Sequence, residues 1–134
     1  MKNLIFKIPF ITLLIALTIL SQSFSFENKA AVAKVTWVES QFDFGSINQG
    51  IPVEHYFEFK NDGDSPLLIN NVKTSCGCTV SSYPKEPIMP GESDKIKVTY
   101  NAARIGNFNK KITVFSNANS NERRLTILGE VIGK

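Results

Sequence analysis

After Pro52 the chain alternates with a period of two: Val53, His55, Phe57 and Phe59 fall on one side, Glu54, Tyr56, Glu58 and Lys60 on the other. Only an extended strand with one hidden face satisfies that pattern, because successive side chains of a strand point to opposite faces. The same alternation returns in Lys95–Tyr100, Phe108–Phe115 and Arg124–Val131, and no window carries apolar residues at sustained three-and-four spacing. Further strands are predicted at Lys34–Val38, Phe42–Phe44 and Pro66–Lys73, with Cys76–Val80 following as a strand segment. Turn signals separate them: Gly45 to Gly50, Asn61–Asp64, the Pro84, Pro87 and Pro90-Gly91 loop, and Asn117–Asn121. About seven short strands, each able to bury one face, predict an all-β, immunoglobulin-like two-sheet sandwich. Phe57, Phe59, Ile96, Val98, Ile112, Val114, Leu125 and Ile127 are its expected core.

The 134 residues suit a single compact domain. Lys2 and Lys7 are followed by an uncharged apolar run to Leu20 and then by Ser21-Gln22-Ser23 and Ser23-Phe24-Ser25, the layout of a secretory signal helix. The expected division is therefore residues 1–25 as signal peptide and 26–134 as the sandwich, exported to the periplasm or outside the cell. An uncleaved anchor is the alternative, and membrane contact is then expected through this segment alone. Removing the leader takes two of the 15 basic residues and leaves thirteen against 12 acidic ones. A nearly neutral domain lacks the clustered positive face that nucleic acid requires, so no nucleic-acid partner is expected. Lys110-Lys111 and Arg123-Arg124 read as solvated strand positions.

An ordered set of residues carries a resemblance. It comprises Phe42-Asp43-Phe44-Gly45-Ser46-Ile47, Gly50, Phe57-x-Phe59-x-Asn61-x-Gly63-x-x-Pro66-Leu67-x-Ile69, Cys76-Gly77-Cys78-Thr79, Pro90-Gly91, Gly106 and Ser116-Asn117. From Phe42 to Val131 the chain resembles the exported bacterial family catalogued as domain of unknown function 1573, related to the immunoglobulin-like domains of the ASPM, SPD-2 and Hydin group. The resemblance implies the sandwich fold and no assigned reaction; by analogy with the wider group it implies an interaction module.

Cys76 and Cys78 are the one candidate for chemistry. On a strand they would share a face, and three readings stand side by side: small buried apolar side chains, a local disulfide or redox pair, or two soft ligands for a metal such as Cu(I). A bond between them needs a bend, since extended Cα atoms two residues apart lie about 7 Å from each other, and Gly77 permits one. A closed zinc site is poorly served, with only His55 to add to the two sulfurs. His55 itself reads as a satisfied, partly buried histidine without an evident Ser, Cys or carboxylate partner, Trp37 and Tyr100 as core or sheet-face aromatics, and Glu54 and Glu58 as solvated.

No phosphate-cradling glycine loop, nucleophile elbow or two-histidine metal signature occurs. The expectation is a non-catalytic binding or scaffolding module that holds a protein of the cell envelope, without catalytic residues, cofactor or metal. The alternative is a thiol-redox or copper carrier working through Cys76 and Cys78.

Overall fold

The computed structural model describes Glu27 and residues 29–133, and the expected signal helix over 1–25 lies outside them. No helix among the described residues is long and apolar enough to cross a membrane. The compact unit runs from Ala31 to the C-terminus and is entirely β.

Eight strands form it: β1 (Val35–Trp37), β2 (Gln41–Asn48), β3 (Val53–Asn61), β4 (Ile69–Thr74), β5 (Thr79–Ser82), β6 (Ser93–Tyr100), β7 (Gly106–Ser116) and β8 (Glu122–Ile132). One sheet has the order β1-β3-β6-β5 and the other β2-β8-β7-β4. All pairings are antiparallel except β2 with β8, which is parallel, so the second sheet is mixed. The predicted sandwich is thus present, with eight strands rather than about seven. All eight expected core residues are buried, joined by Leu67, Ile69, Ile88, Tyr100, Phe108 and Val131. Trp37 is half-buried against Phe59, with ring centroids 5.0 Å apart.

Two stacked pairs tie the layers together. Phe42 of β2 lies flat on His55 of β3 at 3.7 Å between centroids, and Phe108 of β7 stacks on Tyr100 of β6 at 4.2 Å. The outer face of the first sheet carries Glu54, Tyr56 and Glu58 opposite Thr99, Lys97 and Lys95. Lys97 donates to Glu54 at 2.7 Å, and this hydrogen bond holds the Glu54 carboxyl below its ordinary range although both groups are in water.

Three local expectations are corrected. Gly45 to Gly50 is not a turn: β2 continues through Gly45 to Asn48, and only Asn48–Ile51 reverses the chain. Gly45 sits at φ +65°, a left-handed conformation that an unbranched backbone adopts freely, and its N–H donates to Asp43 Oδ1 at 2.8 Å. The register with β8 shifts between Asp43 and Ser46, so glycine here marks a bulge within a strand. Next, Pro66–Leu68 does not open a strand. Leu67 instead makes an isolated bridge to Ile88 in the proline-punctuated loop, and β4 begins at Ile69. Last, Cys76–Cys78 is a turn by which the chain leaves one sheet at β4 and enters the other at β5.

A disulfide turn over a cationic recess

The turn owes its shape to backbone bonds. The Cys76 carbonyl accepts from Thr79 N at 3.3 Å and from Thr74 Oγ1 at 3.1 Å, and the Cys78 carbonyl accepts from Asn101 N at 3.1 Å. Ser75 fixes the approach: its N–H donates to the Lys111 carbonyl at 3.0 Å, and its hydroxyl accepts from Lys111 N at 3.1 Å. The bend brings the Cα atoms of Cys76 and Cys78 to 5.4 Å, and their sulfurs are bonded. This is the separation that extended backbone could not provide. Of the three sequence readings, the structure holds the local disulfide. The soft-metal alternative requires both sulfurs as thiolates, a state reached only by reducing this bond.

Both cysteines are half-buried, and Cys78 packs against the core. Together with Gly77 they border a recess of ≈ 620 Å³ at one end of the sandwich. The stacked Tyr100 and Phe108, the exposed Ile105, and the cationic Arg104 and Lys110 also line it. Arg104 belongs to the Asn101–Ile105 connection, in which Ala102 is buried with φ +51° and its carbonyl accepts from Gly50 N at 2.9 Å. Lys110 lies on the inward parity of β7, between Phe108 and Ile112, and is half-buried. The sequence expectation of Lys110 as a solvated strand position is corrected accordingly. The alternation Phe108-x-Lys110-x-Ile112 already signalled its side. Tyr100 was marked in the same way by Ile96-x-Val98-x-Tyr100, whereas Arg104 and Thr79 carried no such signal, because their place depends on which loops meet at the sandwich end. Thr79 is buried, with its hydroxyl 3.7 Å from Cys76 Sγ.

His55 does not line this recess. Its Nε2 donates to Glu39 Oε1 at 2.7 Å, with Phe42 on one ring face and Phe57 edge-on, so it is satisfied as expected but through a carboxylate partner that the sequence did not reveal. Glu39 lies in the β1–β2 connection, and its approach depends on how the two sheets close. Among the described residues no three His, Cys, Asp or Glu side chains are placed to hold a metal ion.

The model of a family described as protein of unknown function (DUF1573) matches residues 35–131. No curated protein matches the chain. Among solved structures, a protein of unknown function from Porphyromonas gingivalis W83 is similar over 79% of this chain and 51% of its own, at 18% identity and a TM-score of 0.62. The chain therefore spans about half the length of that protein. The ASH/PapD-like domain 7 of human CEP192 is similar over 77% of this chain and 88% of its own, at 13% identity and a TM-score of 0.65. The YadV chaperone is similar over 74% and 52%, at 14% identity and a TM-score of 0.53. At such identities the likeness is one of fold.

Proposed function

This chain belongs to the DUF1573 family of proteins of unknown function, and from that premise we propose that it is a non-catalytic binding module that holds a protein partner in the cell envelope. The observation that supports this reading is that both sheets are open. The first ends at β1 and β5 and the second at β2 and β4, so each presents backbone N–H and C=O groups on the outer side of a terminal strand. An extended segment of a partner adds to such an edge through main-chain hydrogen bonds, and side-chain pockets on alternate residues set its specificity. The sandwich shared with PapD-like domains and with a chaperone fits a role in interaction.

The leader read in the sequence supports export, and with it a partner met in the cell envelope. The purified domain should capture a defined protein from an envelope extract, and amides of a terminal strand should gain protection from hydrogen exchange in the complex. Repeated capture of nothing, or a complex in which all four terminal strands keep their free exchange rates, would overturn edge binding.

A further inference from the structure

We propose that the recess beside Cys76 and Cys78 is a thiol–disulfide exchange site for thiols that carry a carboxylate, a role separate from edge binding. The bond is not what shapes the turn. The Cys76 and Cys78 carbonyls are held by Thr79, Thr74 and Asn101, so the reduced pair keeps its place and exchange needs no unfolding. Both sulfur-bearing residues border the open recess, which is of the size that takes a small molecule or a peptide side chain.

The recess also distinguishes the two sulfurs. A bonded sulfur has no proton, so in the contact between Thr79 Oγ1 and Cys76 Sγ the hydroxyl is the donor. That donor favours negative charge on Cys76, which makes Cys76 the better leaving thiolate. Selection among thiols comes from the walls. Arg104 and Lys110 line the recess, and no carboxylate does among the described residues. Lys110, on the inward side of β7, is drawn partly out of bulk water, where an ion pair is screened less.

The exchange balances in two steps. The incoming thiolate attacks Cys78 Sγ; the Cys76–Cys78 bond breaks and its electron pair leaves on Cys76, which takes a proton from water. A second thiolate attacks the bound thiol's sulfur and releases Cys78 as thiolate. Two thiols become one disulfide, and the protein pair is reduced.

The test compares reduction of the purified protein with reduction of a bonded peptide spanning Thr74–Val80, using 3-mercaptopropionate, 2-mercaptoethanol and cysteamine. The protein-to-peptide rate ratio for each thiol cancels intrinsic nucleophilicity. The ratio should rise from the cationic through the neutral to the anionic thiol, by roughly two- to fivefold per wall cation. Combining Arg104→Gln with Lys110→Gln, or adding salt to the unaltered protein, should flatten that order, and the salt series decides if the double variant loses its fold by circular dichroism. Equal ratios for the three thiols, or a protein slower than the peptide towards 3-mercaptopropionate, would overturn the proposal. Partner capture by a variant with Cys76→Ser and Cys78→Ser tests edge binding independently, so either reading can fail alone.

Discussion

Asn61 closes the end of β3 with a full set of hydrogen bonds inside the core. Its side-chain amide donates to the carbonyls of Ser65 at 2.8 Å and Ile88 at 2.9 Å, while its side-chain oxygen accepts from Gly63 N at 3.0 Å. The residue is fully buried, so each of these partners loses water as well as freedom. Replacing Asn61 with Ala takes the partner from the Ser65 carbonyl and the Gly63 N–H and leaves the Ile88 carbonyl with Leu67 N alone, at 2.8 Å; the expected loss is about 2 kcal/mol, read from the urea midpoint at unchanged slope. Gly63, two residues on, is needed for a different reason: a Cβ there would lie 2.5 Å from Lys34 N, against backbone that has no room to yield. The sequence marked Asn61-x-Gly63 as a reversal, and it is one. What it could not give is the bond from Asn61 to a carbonyl 27 residues away, or Glu39 beneath His55, because such partners are chosen by the closing of loops and leave no local period.

Among the elements, β2 departs furthest from its sequence pattern. A glycine followed by polar residues reads as a turn, yet the chain passes through Gly45 without reversing, and Ile47 beyond the bulge packs against the core. Gly45→Val forces a branched side chain into a left-handed backbone at a cost of about 2 kcal/mol. Amides from Ser46 to Asn48 should then exchange faster, while those of Gln41–Asp43 keep their protection; uniform loss along β2 would show that the bulge does not separate two halves of the strand. The four strongest alternations, by contrast, became β3, β6, β7 and β8 with the predicted faces inward. Alternation was legible because it records a face. Strand order and the parallel pairing of β2 with β8 were not, because a period of two says which side is buried and nothing about which strand lies alongside.

For the whole molecule, stability resides in the two interlocked sheets rather than in the sulfur bridge. A ring closed across three residues restricts the unfolded chain by about 1.6 kcal/mol at most. Full reduction should therefore lower the unfolding free energy by no more than that and leave the far-ultraviolet circular dichroism unchanged; a collapse of the fold on reduction would contradict the account of the turn. The candidate site was half legible on the same grounds. Cys76 and Cys78 were conspicuous, whereas the walls around them come from the β6–β7 connection and the start of β7, which only the folded chain assembles.

The single tryptophan has an optical consequence. Trp37 pairs with Phe59, Phe59 with Asp94, and Tyr100 lies six residues farther along β6, which puts Trp37 about 20 Å from the sulfur-bearing end. Its emission reports one pole of the sandwich, and in a variant with Tyr56→Phe and Tyr83→Phe the remaining Tyr100, in the recess with the quenching sulfurs, reports the opposite pole. Loosening of the two ends can thus be followed by separate colours of intrinsic fluorescence, without attaching a dye.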